Sequence, residues 1–353
     1  MEDKLILLAQ DYGYGVDKIA YRDKNGKIKW NKFNSAVAEA PINTDDMPLF
    51  EGRRYYIGDI ALMEESQNIK DLNDYAEHEK FAPLSLWNCI DMAGLDKDKI
   101  GALVVGLSLA QSSHASRFVK RISSFKVNEH KFDFKDKIVL IPQGIGAKYA
   151  IDHFYYKDAP DSEKNYSIID LGQLTLDAAT VFGGKARSEG ASGTADTGVI
   201  WITNKLKGYI SSDPKFKTVL SMRELQKIII NKTYTFYGET YDLSKQIDQY
   251  KKEYTEFLAS FLLERYRNIF QKSPKIFIIG GGQYYLDMDV LKNTPGIPFK
   301  SFVFPKNPEY LNAIGNLIGG ELAIQQGVLH DPKISSFRQE LKDEKISNNS
   351  SEN

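Results

Sequence analysis

The sequence has few of the side chains that build covalent or metal frameworks. It contains one cysteine, Cys89, which excludes an internal disulfide and is typical of proteins from reducing compartments. Cys89 lies in the apolar stretch LSLWNCI with no motif that supports a nucleophile, so we expect a small core residue. Five scattered histidines show no paired ligand spacing, which argues against a zinc site.

Long apolar runs and an excess of charge of one sign are also missing. The first apolar run, in MEDKLILLAQ, is too short for a membrane span or a signal peptide, so we expect a cytoplasmic protein without membrane contact. With 46 basic and 47 acidic side chains, the net charge is −1. No global field therefore attracts the chain to nucleic acid, and contact with DNA is expected to be indirect.

The remaining composition is that of a folded protein. A chain of 353 residues with 42% hydrophobic side chains is long enough for two domains or for one large α/β unit. Residues 336–353, which end in KDEKISNNSSEN, are polar and predict a disordered tail.

Strand patterns begin early in the chain. KLILLA, VDKIAYRD and KIKWNKF, separated by QDYGYG and KNG, predict a β meander, and a further hairpin is expected around FEGRRYYIGD. The apolar runs GALVVGLS, DKIVLIPQG and YSIIDLG suit strands that are buried on both faces. Between Asp248 and Phe270, apolar residues recur at helical spacing and predict a long amphipathic helix.

Four predicted strands end in glycine or a carboxylate: LLAQDYGYG, IVLIPQG, SIIDLGQLTLD and FIIGGGQ. Ligands of open α/β sheets bind beyond the carboxyl ends of strands, and glycine turns let backbone N–H groups approach a phosphate. A carboxylate beside such a turn repels phosphate unless a cation lies between them, so Asp11 and Asp170 together imply Mg²⁺. A single Asp-x-Gly is usually only a turn. A phosphate site is indicated because all four signals follow apolar runs. The unit of strand, Asp-x-Gly turn and strand occurs twice, which also suggests that the chain consists of two duplicated halves.

Five motifs in order resemble the signature of the actin, sugar-kinase and heat-shock-chaperone ATPase superfamily. DYGYGVDK resembles phosphate one, IPQGIGAKYA connect one, DLGQLTLD phosphate two, FIIGGGQ the adenosine loop and NAIGNLIGGELA connect two. Within that superfamily, the chain most resembles the bacterial and archaeal actin-like proteins of the ParM type, which polymerise with ATP and segregate plasmids.

The resemblance implies an α/β, actin-like (ribonuclease H-like) fold of two lobes. Each lobe is expected to be a mixed β sheet covered by helices, with the nucleotide in the cleft between the lobes. Residues 1–155 plus 310–335 are expected to form lobe I, and residues 156–309 lobe II.

The resemblance also implies roles for individual residues. Asp11 and Asp170 are expected to hold hydrated Mg²⁺ with help from Asp177, and the expected catalytic residues are Gln143, Asp170 and Asp11, with Gln143 orienting the attacking water. The expected nucleotide-binding residues are Gly13, Tyr14, Gly15, Lys18, Gly172, Gln173, Thr175, Gly280, Gly281, Gly282 and Gln283. Tyr14 replaces a common Ser or Thr and Gln173 a common glycine, and Tyr12 is also bulky, so each of the three is expected to crowd the γ-phosphate.

The implied function is a filament-forming ATPase that self-associates and drives segregation of plasmid DNA through an adaptor protein. The choice between ATP and GTP stays open. One alternative is a metabolite kinase of the same fold, which needs a substrate pocket and a carboxylate base near the γ-phosphate. Another is an actin-like scaffold of the cell-division or pilus-assembly type that hydrolyses nucleotide poorly.

Overall fold

The computed structural model describes residues 5–329 except residues 42, 64–69, 73, 109–112, 217 and 219. The described residues of Met1–Pro160 and Glu309–Asn353 form one compact unit, unit 1, and those of Asp161–Pro308 form a second, unit 2. The tail predicted over 336–353 lies outside the described residues, as does the end of the 310–335 segment.

Short strands and a few helices make up unit 1. Its elements are β1 Ile6–Asp11, β2 Val16–Arg22, β3 Ile28–Asn34, β4 Ala36–Glu39, β5 Leu49–Phe50, β6 Arg53–Ile57, α1 Asp59–Met63, β7 Lys70–Asp71, α2 Tyr75–Met92, β8 Ile100–Leu107, α3 Ala115–Ser123, β9 Ser124–Val127, β10 His130–Asp133, β11 Ile138–Pro142, α4 Ile145–Tyr155 and α9 Leu311–Gln325. Unit 2 contains β12 Tyr166–Leu171, β13 Thr175–Phe182, β14 Lys185–Ala195, α5 Ile200–Ser212, α6 Met222–Asn231, β15 Thr233–Phe236, β16 Glu239–Asp242, α7 Ser244–Lys272, β17 Ile276–Ile279, α8 Met288–Asn293 and β18 Phe302–Val303.

A five-stranded mixed sheet forms the centre of unit 1, in the order β3-β2-β1-β8-β11. The antiparallel pairs β1–β2 and β2–β3 confirm the predicted meander, and β8 and β11 run parallel to β1. The prediction was wrong about the end of β1, which continues through Gln10 and Asp11. Both residues belong to the strand rather than to the turn because they pair with Val105 and Gly106 of β8.

The two faces of the central strand β1 are covered by different helices, because successive side chains of a strand point to opposite faces. Leu8 belongs to a buried core that also contains Phe81 of α2 and Phe118 of α3. On the other side, Gly320 of α9 approaches Leu7 closely. Cys89 is fully buried in the α2 core, as predicted.

Unit 2 repeats the sheet of unit 1, with the order β14-β13-β12-β17-β18. Two antiparallel pairs are again followed by two parallel ones, so β12 is the counterpart of β1. The long helix α7 confirms the helical pattern of 248–270, and its Tyr254, Leu258 and Leu262 are buried in the core of this unit. None of the described helices is long and apolar enough to cross a membrane.

Candidate functional site

The carboxylate of Asp11 lies at the end of β1, where it is 1% exposed and has two side-chain partners. The Nε2 atom of Gln143 donates a hydrogen bond of 2.6 Å to Asp11 Oδ1, and Lys18 Nζ lies 3.3 Å from Oδ2. Gln143 reaches this position because its backbone N–H donates to Leu107 O, at the end of the neighbouring strand β8. The parallel strands β1, β8 and β11 therefore bring the two predicted residues to one edge of the sheet.

The turn between β1 and β2 is held by its own backbone and by two neighbouring side chains. Gly13 donates its N–H to Asp17 Oδ1 at 3.2 Å, and its carbonyl accepts a 2.6 Å bond from the Ser35 hydroxyl. The backbone N–H of Ser35 donates to Gly15 O. A side chain at Gly13 would collide with Val16 O, so the turn requires glycine there.

Asp17 belongs to a buried polar network beneath this turn. The Ser85 hydroxyl donates to Asp17 Oδ2 at 2.6 Å, and Gln10 Nε2 donates to Ser85 Oγ at 2.7 Å. All three side chains are at most 3% exposed. Burial raises the pKa of Asp17 to about 7, against which the hydrogen bond from Ser85 acts.

The two tyrosines of the turn pack against helices rather than standing free. The Tyr14 ring stacks on His78 of α2, with ring centroids 5.2 Å apart, and Tyr12 packs edge-on against Phe118 of α3 at 4.8 Å. His78 is 1% exposed, and neither ring nitrogen has a hydrogen-bond partner among the described residues. Burial lowers the pKa of His78 to about 4, so a neutral imidazole supports the Tyr14 ring at neutral pH.

In unit 2, Asp170 of β12 and Asp177 of β13 lie directly opposite each other in the antiparallel ladder. Both are buried, at 6% and 1% exposure. The Thr175 hydroxyl donates to Asp177 Oδ2 at 3.1 Å, and Gly172 donates its N–H to Thr175 O at 2.9 Å, which closes the turn between the strands. The predicted phosphate-two residues therefore share one tight turn.

The start of α5 is hydrogen-bonded to this turn. The N–H groups of residues 198–200 donate to the carbonyls of residues 172–174 at 2.8 to 3.3 Å. A Cβ on Gly198 would lie 2.5 Å from Gln173 O, so only glycine allows the segment to approach the turn this closely. The Gln173 side chain accepts a 3.3 Å bond from Gln226 Nε2 of α6.

The GGG stretch that follows β17 packs against the end of β12. Gly280 has φ of 82°, and a side chain there would collide with Asp170 Oδ1 and Leu171 O. A Cβ on Gly282 would lie 2.6 Å from Leu171 Cβ. The glycines therefore allow this loop to lie beside the carboxylate of Asp170.

The predicted site residues fall into two groups, one in each unit. Unit 1 contains Asp11, Gly13, Tyr14, Gly15, Lys18 and Gln143; unit 2 contains Asp170, Gly172, Gln173, Thr175, Asp177, Gly280, Gly281, Gly282 and Gln283. Within the described part of the chain, no three His, Cys, Asp or Glu side chains cluster so that they could hold a metal ion together.

Sequence reasoning missed several residues that shape these groups. Asp17 had a usable signal, because it occupies an inward-facing position of the alternating strand VDKIAYR. Ser85 and His78 had none, since their role depends on how α2 packs. Gly198 lies in the glycine-rich stretch GTADTGVIW, but the sequence does not show what approaches it.

Comparisons with known proteins agree with this architecture. Residues 168–292 match the family of archaeal actin homologues described as MreB-like, C-terminal. No curated protein matches the chain. Among solved structures, the chain is similar to the pCBH ParM non-polymerisable quadruple mutant, with 19% identity and a TM-score of 0.71 over 90% of this chain and 100% of that chain.

Two further structures are similar over the same share of this chain. ParM in a 15-stranded filament from Clostridium botulinum has 20% identity and a TM-score of 0.69, with 99% of that chain covered. The archaeal actin homologue Ta0583 in complex with ADP has 17% identity and a TM-score of 0.67, with 100% of that chain covered. The expected fold class is therefore confirmed: the chain has the actin-like fold shared by ParM and the archaeal actin homologues.

Proposed function

We propose that the chain is an ATPase that binds ATP with Mg²⁺ and assembles into nucleotide-dependent filaments. The observation that carries the proposal is the hydrogen bond between Gln143 and Asp11 beside a glycine turn at a strand edge. The ADP complex of one structural relative and the filament of another support it.

The turns of both units supply the groups that nucleotide phosphates need. The turns at Gly13 to Gly15 and Gly172 to Thr175 would surround the phosphates, because glycine lets their backbone approach closely, and Lys18 would contribute positive charge. Gly280 to Gln283 would line the nucleoside. The packing of Tyr14 on His78 and the bond from Gln226 to Gln173 tie both bulky side chains to helices of their own unit.

The donor set fits a hard divalent cation. Asp11 and Asp170 would hold Mg²⁺, with Asp177 orienting its waters, because Mg²⁺ prefers carboxylate, water and phosphate oxygens and keeps several waters in most sites. When bound, the ion would neutralise charge on the phosphates.

Gln143 is the residue best placed to orient an attacking water. Because its Nε2 donates to Asp11, its amide oxygen is directed away from that carboxylate and is available to accept a hydrogen bond from water. Positioning of the water and stabilisation of charge account for most of the catalysis of phosphoryl transfer, so this small set would support slow hydrolysis.

Polymerisation would follow the state of the nucleotide. Bound ATP would favour addition of subunits, hydrolysis would weaken subunit contacts, and plasmid DNA would be reached through an adaptor protein. The use of GTP in place of ATP is tested by adding GTP in the assays described next.

Light scattering and phosphate release, measured together with ATP, ADP and a non-hydrolysable ATP analogue, test the proposal. We expect growth with ATP that decays as phosphate appears, and stable filaments with the analogue. Asp170→Asn should reduce phosphate release by about 100-fold or more, since it removes a charge from the metal site. Asp196→Asn is the matched control, because Asp196 is exposed in the same unit and its φ of 61° suits asparagine.

Each failure has a distinct meaning. Monomers under all nucleotide conditions would exclude the filament function. Phosphate transfer that requires an added small-molecule hydroxyl would identify a kinase, and growth without phosphate release would identify a poorly hydrolysing scaffold. Unchanged release by Asp170→Asn would remove Asp170 from the metal site.

A further inference from the structure

Helix α4 begins directly after Gln143, at a residue that has no side chain to cap it. The N-cap residue is Gly144, whose φ of 82° places it outside the helical region. The first N–H groups of any helix have no acceptor within the helix, and a buried helix start needs acceptors from elsewhere. The start of α4 thus depends on another part of the chain.

Asn312 of α9 supplies those acceptors. Its Oδ1 accepts hydrogen bonds from the N–H of Gly144 at 3.0 Å and from the N–H of Ala147 at 3.2 Å. These are the N–H groups of the N-cap and N3 positions, the two that a capping box satisfies with local side chains. Because both partners are N–H donors, they fix the orientation of the amide, with its oxygen towards α4.

Asn312 is held in place against α4 with little freedom. It is 4% exposed, and three residues further along α9 the backbone of Gly315 approaches α4 so closely that a side chain there would collide with Gly146 O. The cap and the helix contact therefore form one packed unit, supplied by a segment more than 150 residues away in the chain.

The cap also determines where Gln143 lies. Gln143 is bounded by the end of β11 at Pro142 and by the capped Gly144, and its own N–H is bonded to Leu107 O. From this backbone position its side chain reaches Asp11 at 2.6 Å. We infer that Asn312 is a positioning residue that acts through Gln143 and sets the water-orienting amide for hydrolysis, an inference that rests on the proposed function.

Steady-state phosphate release by the full chain, with binding of a fluorescent ATP analogue measured separately, tests the inference. Asn312→Ala should lower kcat about tenfold while the affinity for the analogue changes less than about twofold, because a displaced catalytic group affects turnover rather than binding. Asn312→Asp keeps an acceptor oxygen in the same place and places a carboxylate at a helix N-terminus, so it should restore kcat. Asn312→Ser, with a shorter acceptor, should be intermediate.

A double-mutant cycle separates positioning from a general structural role. In the Gln143→Ala background, Asn312→Ala should cause no further loss of kcat, since the residue that it positions is already absent. A full additional loss in that background, or wild-type kcat in Asn312→Ala, would overturn the inference. If Asn312→Ala does not fold, the comparison of Asn312→Asp with Asn312→Ser in both backgrounds replaces it.

Hydrogen exchange tests the cap by Asn312 without relying on the proposed function. The amides of Gly144 and Ala147 should exchange at least about tenfold faster in Asn312→Ser than in the wild type, and Asn312→Asp should protect them. A chain without phosphate release but with this exchange pattern would refute the proposed function and retain the cap. Unchanged exchange would refute the cap itself.

Discussion

Asp17 and His78 lie beside the turn between β1 and β2, and their ionisation makes stability depend on pH in opposite directions. Burial raises the pKa of Asp17 to about 7, above its unfolded value near 3.8, so its ionisation destabilises the fold as pH rises through that range. Burial lowers the pKa of His78 to about 4, below its unfolded value near 6.5, so its protonation destabilises the fold as pH falls through that range. The two effects oppose each other between about pH 4 and pH 6.5.

Asp17→Asn should remove one of these opposing effects. The free energy of unfolding of the variant, relative to that of the wild type, should rise by on the order of 2–3 kcal/mol between about pH 5 and pH 8, because the wild type then buries an ionised carboxylate. Urea titrations of both proteins at the two pH values measure this difference. Any constant cost of the altered bond to Ser85 cancels in the comparison. A difference that is independent of pH would show that Asp17 is already ionised in the fold at about pH 5.

Individual residues also show which features of the candidate site can be predicted from the sequence and which cannot. The placement of Asp11, Asp170 and Gln143 at or beside strand ends was predictable from the apolar runs that precede them, whereas their roles at a phosphate site stay a prediction. The orientations of Tyr14 and Gln173 were not, since each depends on a partner more than 50 positions away, His78 on α2 and Gln226 on α6. Bulk alone predicted crowding, whereas the structure shows a packing partner for each.

At the scale of elements, the turn at residues 172–174 between β12 and β13, which we call the phosphate-two turn after the motif that it resembles, depends on α5 as well as on its own strands. Because the N–H groups of 198–200 donate to the carbonyls of 172–174, the start of the helix and the turn are formed together. The carbonyls are thereby occupied, which keeps the turn in one conformation. This dependence makes the close approach at Gly198 the sensitive point of the turn.

Gly198→Ala should distort the phosphate-two turn. A Cβ that lies 2.5 Å from Gln173 O forces the backbone apart, which we expect to cost about 1–3 kcal/mol of stability and to weaken nucleotide binding at least about tenfold. Denaturant titration and binding of a fluorescent ATP analogue measure the two effects. Gly208→Ala, within the helix α5 that follows Gly198 but exposed and with open space around the added methyl, should bind nucleotide normally and gain up to about 1 kcal/mol of stability. Normal binding by Gly198→Ala would show that the turn tolerates displacement.

The regular elements of the two main sheets were largely predictable from apolar runs and turn residues. The hairpin of β5 and β6 was predicted as well, and its turn at Glu51 and Gly52 has positive φ at both positions. The pairing of β4 with β6 and β7 was not predicted, because β4 and β7, with four and two residues, carry too little periodicity. The capping of α4 by Asn312 also has no local signal, since the two N–H groups that it accepts from lie 165 and 168 positions away from it in the sequence.

At the scale of the whole molecule, the two sheets share one strand order and one pattern of strand directions. Asp11 is the last residue of β1 and Asp170 the last but one of the equivalent strand β12, and the residues opposite them in the ladders are Lys18 and Asp177. The two Asp-x-Gly turns that suggested duplicated halves in the sequence therefore lie at equivalent places in a repeated architecture. The difference between a lysine and an aspartate gives the two halves different chemistry around the same backbone.

Charge is balanced over the molecule, and several cations in or beside a locally basic stretch form ion pairs. The stretch is FVKRISSFKVNEHKFDFKDK. Arg117, directly before it, pairs with Glu79, and Arg121 within it pairs with Glu51. Lys126 pairs with Glu129, three positions further along the chain, with an N–O distance of 2.8 Å. Binding to duplex DNA depends on unpaired cations that displace counterions from phosphates, and these pairs reduce that supply. We therefore propose that any contact of the chain with DNA is indirect.

The purified chain should not bind duplex DNA by itself. We expect no change in the fluorescence anisotropy of a labelled duplex at about 150 mM salt and protein concentrations up to about 10 μM, with or without ATP, since a net charge of −1 provides no long-range attraction. Lowering the salt to about 50 mM should change little, because few phosphates would be neutralised. Filaments formed as we propose should likewise leave DNA in solution until the proposed adaptor is added. Binding that strengthens steeply at low salt would instead show direct contact, and Arg121→Glu would then test whether the stretch of α3 and β9 makes it.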